Sequence, residues 1–263
     1  MQITAHDSKT ILTPCTLKGH EYQIDPYIGC AHLCHYCYAL NDAKTDWAKE
    51  IMVHADLEGV LSEELKGLSP QSVYMGWKTD PYQPCEAELR QTRKTLEMLA
   101  ARGLSASILT KSDLILRDLD ILQTMESASV SFSLAFEDDS VRDLFEGGTM
   151  STEARMHALR ECKKAGLRTS AMICPVIPYI TSPLPLIESV KDSVDKVWVY
   201  GLSILNESDL NWQNTSRIIQ KNYPQQYETV KAAVFDREHH YWAQLRKKLS
   251  AYSTCDFEFS IHF

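Results

Sequence analysis

The chain has 263 residues, with 27 Lys plus Arg against 35 Asp plus Glu and a formal net charge of -8. This length is enough to bury a large core as one barrel-sized domain or two smaller ones, so folding does not depend on a metal. The acidic balance excludes a general attraction to nucleic acid phosphates or anionic lipid, although it leaves a local basic groove open.

The opening residues MQITAHDSKT form no apolar signal segment, and no run of about 18 apolar residues follows. We therefore expect a cytoplasmic protein without a membrane-spanning segment. In a reducing compartment, the eight cysteines are expected to be free thiols or metal ligands rather than disulfides.

Short β-rich runs alternate with longer amphipathic stretches, which is typical of a parallel sheet with crossover helices. The predicted strands cover residues 22–24, 72–75, 105–110, 129–136, 168–176 and 196–202. Predicted helices cover residues 84–102, the segment that follows Ser112, residues 152–165 and residues 184–194. This pattern gives about six β/α units and predicts an α/β barrel.

Beyond residue 203 the pattern changes to polar helices around residues 227–250 and a strand-like FEFSIHF. We expect a barrel domain over residues 1–203 and a mostly helical C-terminal extension over residues 204–263. The extension is expected to pack on the barrel, so that the two form a single structural unit.

Chemically distinctive residues follow the predicted strands. A cysteine-rich loop follows the first strand, and the segment GWKTDPYQP, with Thr79 and Asp80, follows the second. Lys111 follows the third strand, Ser133 lies on the fourth, and Cys174 lies near the end of the fifth. Because the loops at the carboxyl ends of barrel strands converge on one mouth, these residues are candidates for one site.

The cysteine-rich loop GCAHLCHYCYAL, residues 29–40, places Cys30, Cys34 and Cys37 within eight positions. Zinc is one interpretation, with His32 or His35 as a fourth ligand. A 4Fe-4S cluster is the other, because three thiolates leave one iron free to bind an exchangeable ligand. The other cysteines have an ordinary interpretation as small buried hydrophobes, and Cys85 and Cys174 are the two whose positions at strand ends would let them face a cavity.

The spacing CxxxCxxC, with Tyr36 before the last cysteine, resembles the radical S-adenosylmethionine superfamily. The segments YIGCAHLCHYCYA, TDPYQPCE, ILTKSDLILRDLDIL and SFSLAFED, and the helix beginning near Arg155, resemble its spore photoproduct lyase-like branch. The likeness covers about residues 22–190. It implies a partial (β/α)6 TIM-type barrel and one 4Fe-4S cluster held by Cys30, Cys34 and Cys37.

The resemblance also implies reductive cleavage of S-adenosylmethionine to methionine and a 5'-deoxyadenosyl radical. An external one-electron donor such as flavodoxin or ferredoxin would supply the electron. Lys111 would bind the cofactor carboxylate, and Thr79 and Ser133 would bind its amino acid part. Asp80 would accept a hydrogen bond from the ammonium or a ribose hydroxyl, and Tyr36 would lie beside adenine.

The substrate stays open between a small molecule, a nucleoside and a nucleic acid, and the reaction between a lyase, an isomerase and an oxidoreductase. The alternatives are base repair of the spore photoproduct lyase type and a non-catalytic iron-sulfur or zinc module. In that lyase a cysteine shortly before the matching hydroxyl-Asp pair returns hydrogen to the product. The corresponding YMGWK has none, so Tyr82 and Cys85 are the speculative catalytic candidates.

Overall fold

The computed structural model describes residues 1–263, apart from the side chains of residues 253 and 254. The strands are β1 (Gln2–His6), β2 (Leu12–Pro14), β3 (Tyr22–Ile24), β4 (Tyr27–Ile28), β5 (Glu50–His54), β6 (Ser72–Met75), β7 (Ser105–Thr110), β8 (Ser129–Leu134), β9 (Arg168–Val176), β10 (Lys196–Gly201) and β11 (Glu258–His262). The α-helices are α1 (Leu57–Glu64), α2 (Glu86–Leu89), α3 (Gln91–Ala100), α4 (Leu119–Leu122), α5 (Asp139–Glu146), α6 (Thr152–Lys164), α7 (Pro183–Val190), α8 (Leu210–Asn222), α9 (Tyr227–Phe235) and α10 (His240–Leu249). Short 3-10 helices cover Tyr38–Asp42, Asp113–Asp118, Lys191–Ser193 and Ser250–Thr254.

The main sheet has the strand order β11-β10-β9-β8-β7-β6-β3-β2. Within this sheet, each neighbouring pair from β11 to β3 is parallel, and β2 pairs antiparallel with β3 at one edge. The predicted α/β fold with a parallel sheet is therefore confirmed, and each of the six predicted strands is present. The description as a partial barrel stays a prediction.

The two faces of the main sheet differ in chemistry. On β8, Val130 and Phe132 are fully buried and pack in the same core cluster as Leu159 of α6. Because side chains alternate along a strand, the serines between these positions point to the opposite face. We call that side the polar face; it carries Ser107, Ser129, Ser131, Ser133 and Ser170.

A small sheet with the order β1-β5-β4 lies outside the predicted elements. Strand β1 is mostly exposed, so its sequence QITAH lacks the apolar alternation that marks a half-buried strand. Its partner β5 supplies the burial, because Ile51 has no exposed surface. This sheet therefore forms through pairing in the tertiary structure, and the local sequence of β1 does not predict it.

The helix predicted over residues 84–102 is interrupted at Arg90, which has a left-handed φ of 54°. The buried Glu86 side chain of α2 explains the break. Its carboxylate accepts hydrogen bonds from the backbone N–H groups of Thr92 at 2.9 Å and Arg93 at 3.2 Å. A helix leaves its first N–H groups without partners, and Glu86 satisfies two of them at the start of α3.

The C-terminal segment contributes to both the helices and the main sheet. Trp212 of α8 and Val230 of α9 pack in a second apolar cluster with Phe136 and Phe145. Strand β11 then pairs with β10, with Lys196 opposite Glu258. The expected division at residues 203 and 204 stays a prediction. Among the described residues, no helix is long and apolar enough to cross a membrane.

Candidate metal and cofactor site

The three clustered cysteines lie in a loop that connects β4 with the 3-10 helix Tyr38–Asp42. The loop turns twice: the Cys30 carbonyl accepts from Leu33 N at 3.4 Å, and the Cys34 carbonyl accepts from Cys37 N at 3.0 Å. Leu33 adopts a left-handed φ of 50° to allow the first turn. All three cysteines are free thiols.

The loop is fixed from outside by Gln83, which has no exposed surface. Its side-chain Nε2 donates to the Gly29 carbonyl at 2.9 Å, and its Oε1 accepts from Ala31 N at 2.8 Å. On the other side, His35 N donates to the Phe145 carbonyl at 2.9 Å. These contacts position the cysteine loop without using any of its sulfur atoms.

The two loop histidines lie in different surroundings. His32 Nδ1 lies 3.1 Å from the Gly148 carbonyl and His32 Nε2 lies 3.2 Å from Asp80 Oδ2, so both ring nitrogens face protein partners. His35 is exposed. Within the described part of the chain, no three His, Cys, Asp or Glu side chains converge tightly enough to hold a single metal ion. Tetrahedral zinc needs such convergence, whereas a 4Fe-4S cluster takes each cysteine on a different iron.

The chemistry of the three thiols fits a cluster. Burial raises the pKa of Cys30 to about 12, and it raises the pKa values of Cys34 and Cys37 as well. A thiolate is the form that binds metal, and a buried thiolate is costly unless a nearby cation stabilises it. Cluster irons would supply that positive charge, so the loop fits the group that its spacing predicts.

Asp80 links the cysteine loop to the end of β7. Its carboxylate accepts from Thr110 Oγ1 and from Lys111 N, each at 2.7 Å, and it faces His32. Burial alone acts to raise the pKa of Asp80, but the His32 imidazole and these hydrogen bonds outweigh it and bring the pKa to about 2. Asp80 is therefore an ionised support of the site, and its predicted cofactor contact stays a prediction.

Thr79 is buried after β6. Its hydroxyl donates to the Tyr27 carbonyl at 3.2 Å, and its backbone N donates to Asp25 Oδ1 at 3.2 Å. Asp25, which was not predicted from the sequence, follows β3 and also accepts from Lys78 N at 3.1 Å. Thr79 therefore helps to fix the loop after β6, and its contact with a cofactor stays a prediction.

Lys111 and Ser133 meet as predicted from their positions at strand ends. Lys111 Nζ donates to Ser133 Oγ at 2.9 Å and lies 3.9 Å from Glu146 Oε1. The same ammonium lies 5.9 Å from the centroid of the Tyr36 ring, which also packs on Phe136. A partly exposed cation, the Ser133 hydroxyl and an aromatic ring thus converge beside the cysteine loop.

A buried ion pair beside Lys111 was not predicted from the sequence. Glu146 and Arg155 are buried, and Arg155 Nη2 donates to Glu146 Oε2 at 2.7 Å. Burial raises the pKa of Glu146, and the Arg155 guanidinium opposes that rise. Arg155 Nη1 also donates to the Ser133 carbonyl at 3.0 Å. One sequence pattern could have indicated this ion pair. It is a glutamate directly before two glycines, followed by an arginine in the first turn of the next helix.

The two predicted catalytic residues, Tyr82 and Cys85, are both held by buried surroundings. Tyr82 is 1% exposed and packs in the main apolar cluster, where burial and the Asp118 carboxylate raise the pKa of its hydroxyl. Cys85 caps the start of α2, where burial and the neighbouring Glu86 raise the pKa of its thiol to about 11. A catalytic role for Tyr82 or Cys85 stays a prediction.

Comparisons with known proteins identify the family of the chain. A family model described as the radical SAM superfamily matches residues 24–182. The chain belongs to this superfamily. An uncharacterized protein of Methanocaldococcus jannaschii is 28% identical over 235 residues, covering 88% of this chain and 87% of the relative. An uncharacterized protein of Mycobacterium tuberculosis is 33% identical over 172 residues, and the match spans about half of that relative (51%).

Solved radical SAM structures share the fold. Spore photoproduct lyase complexed with dinucleoside spore photoproduct superposes with a TM-score of 0.70 at 15% identity, covering 99% of this chain and 82% of that one. SuiB of Streptococcus suis bound to S-adenosylmethionine gives a TM-score of 0.53 at 11% identity, covering 99% of this chain and 47% of that one. At these identities the similarity describes the fold alone.

Proposed function

We propose that this radical SAM protein is an enzyme that uses S-adenosylmethionine and a 4Fe-4S cluster to abstract hydrogen from a substrate. Cys30, Cys34 and Cys37 would hold the cluster. When bound, these two groups supply a 5'-deoxyadenosyl radical by reductive cleavage. The observation that carries the proposal is the convergence of Lys111 and Ser133 with the cysteine loop at one edge of the parallel sheet.

The protein's own residues would bind and orient the cofactor. The Lys111 ammonium suits a carboxylate, since its charge is only partly offset by the buried Glu146. The hydroxyls of Ser133 and Thr79 can accept hydrogen bonds from an ammonium group, and Tyr36 offers a ring face for adenine. Asp80 would hold the cysteine loop against the end of β7, because its carboxylate contacts both Lys111 N and His32.

We further propose that the protein forms a partial (β/α)6 barrel and lies in the cytoplasm. Its electron would come from an external donor such as flavodoxin or ferredoxin. The substrate is proposed to be a small molecule, a nucleoside or a nucleic acid. The structural neighbour that holds a dinucleoside supports a nucleic acid component as the substrate class. The absence of a convergent set of single-ion ligands among the described side chains weighs against the zinc module.

The direct test is formation of 5'-deoxyadenosine. The protein is reconstituted anaerobically with iron and sulfide, reduced with dithionite and incubated with S-adenosylmethionine, and the products are quantified by liquid chromatography and mass spectrometry. We expect 5'-deoxyadenosine from the native chain and none from Cys34→Ala. Cys255→Ala is the matched control, because Cys255 is an exposed thiol far along the chain. A cluster-loaded native protein that releases no 5'-deoxyadenosine would refute the proposal.

A further inference from the structure

Cys174 lies on the polar face of the main sheet, near the carboxyl end of β9. Its neighbours Ala171 and Ile173 pack in the core, so strand alternation directs Met172 and Cys174 to the opposite side. In the sheet register Met172 pairs with Ser133, whose hydroxyl accepts from Lys111. Cys174 is the next residue of this face toward the edge where the cysteine loop lies, and it is partly exposed.

A second observation points to a ligand at Glu146, whose charge is close enough to influence Cys174. Glu146 has no exposed surface, and its Oε1 atom has no hydrogen-bond partner. Lys111 Nζ is 3.9 Å from that oxygen and is bonded to Ser133 instead. A buried carboxylate oxygen without a donor is costly, so an incoming donor group at this point would be favoured.

The electrostatics agree with this placement. Burial raises the pKa of Cys174 to about 11, and the charges of Lys111, Glu146 and Cys37 are close enough to influence it. At neutral pH the thiol therefore keeps its hydrogen. Of the remaining free thiols, Cys162 is buried in the core, and Cys85 lies beside Tyr27 and Glu86.

We propose that Cys174 is the hydrogen-atom donor of the site, an inference that rests on the proposed function. The S–H bond of Cys174 breaks homolytically, and its hydrogen forms a new C–H bond on a carbon-centred radical. The resulting thiyl radical takes one electron from the external low-potential donor and one proton from solvent, which restores the thiol. Sulfur suits this role because it holds hydrogen more weakly than a hydroxyl or an ammonium does.

The test uses the reconstituted, dithionite-reduced protein with S-adenosylmethionine in thiol-free D2O, without added substrate. The Cys174 thiol exchanges to S–D, so 5'-deoxyadenosine from the native chain should carry one deuterium. Cys174→Ser and Cys174→Ala should release 5'-deoxyadenosine with at least tenfold less deuterium, whereas Cys85→Ala should match the native chain. Equal deuterium in Cys174→Ala would overturn the inference. Absence of any 5'-deoxyadenosine from the native chain would overturn the proposed function itself.

Thiol labelling gives a readout that does not depend on turnover. The cluster-loaded protein is treated with N-ethylmaleimide with and without S-adenosylmethionine, and each cysteine is quantified by peptide mass spectrometry. We expect the cofactor to slow labelling of Cys174 severalfold and to leave the exposed Cys255 unchanged. The same labelling rate of Cys174 in both conditions would contradict its placement beside the cofactor. Retention of the cluster absorbance in Cys174→Ser controls for folding.

Discussion

Arg155 donates from Nη2 to Glu146 Oε2 at 2.7 Å, and neither side chain has more than 1% of its surface exposed. Their geometry supports Ser133, whose carbonyl accepts from the same guanidinium. Ser133 in turn accepts a hydrogen bond from Lys111. The Arg155–Glu146 pair therefore helps to position the Lys111 ammonium through Ser133.

Replacing Arg155 with Met should destabilise the protein by about 3 to 5 kcal/mol, because it leaves the Glu146 carboxylate buried without its partner. Urea unfolding of the cluster-free protein measures the change. Arg160→Met is the matched control, since Arg160 pairs with Glu153 at 2.9 Å on the surface and should cost less than about 1 kcal/mol. Equal losses in the two variants would contradict the structural role of the buried pair.

Replacing Cys30, Cys34 or Cys37 with Ala should each remove the brown absorbance of a 4Fe-4S cluster after anaerobic reconstitution. Each thiolate ligates one iron, and two ligands do not hold the cluster stably. Iron and sulfide analysis provides the measurement. Cys15→Ala and Cys255→Ala should retain the native content, and a full cluster in Cys34→Ala would rule out the ligand assignment.

Replacing Lys111 with Ala should leave the cluster intact and weaken S-adenosylmethionine binding roughly ten- to hundredfold. A charge-assisted hydrogen bond to a carboxylate contributes about 1.5 to 3 kcal/mol. Equilibrium dialysis with the labelled cofactor measures the affinity. Lys196→Ala is the control. Lys196 is the first residue of β10, over Trp198, whereas Lys111 follows the last residue of β7. Unchanged affinity in Lys111→Ala would remove Lys111 from the site.

Asp80 should stabilise the fold above about pH 4 and lose that contribution as the pH falls toward 2. Its pKa of about 2 lies below the ordinary value of 3.8, so the folded state favours the ionised form, and the difference corresponds to about 2 kcal/mol. Urea midpoints of the cluster-free native and Asp80→Asn proteins should differ most at pH 6 and converge below pH 4. A difference that does not depend on pH would refute this electrostatic role.

We expect no efficient repair of spore photoproduct. The segment YMGWK before Thr79 contains no cysteine, and Trp77 packs on Tyr38 there. A hydrogen donor at Cys174 would approach a product radical from β9, a different side from the loop after β6. Incubation of the reduced enzyme with a spore photoproduct dinucleotide is the measurement. Multiple-turnover conversion to two thymines, lost in Cys85→Ala, would show that the donor lies after β6.

The sequence predicted the main sheet well because its strands carry their own patterns of burial. Segment 168–176 is observed at the predicted bounds, and SVSFSLAF loses only its last two residues. The break at Arg90 was missed because it depends on where the Glu86 side chain bonds. Glu146 and Arg155 were missed for a similar reason: their burial comes from long-range packing, and charged residues on helices are usually solvated.

The pairing of β11 with β10 has a consequence for biosynthesis. The edge of β10 is closed by β11, which is made only after the three α-helices α8, α9 and α10. During translation this edge therefore stays open, with unpaired backbone groups that can join a strand from another nascent chain. The charged pair at the start of this edge, Lys196 with Glu258, gives correct pairing an electrostatic advantage over such encounters.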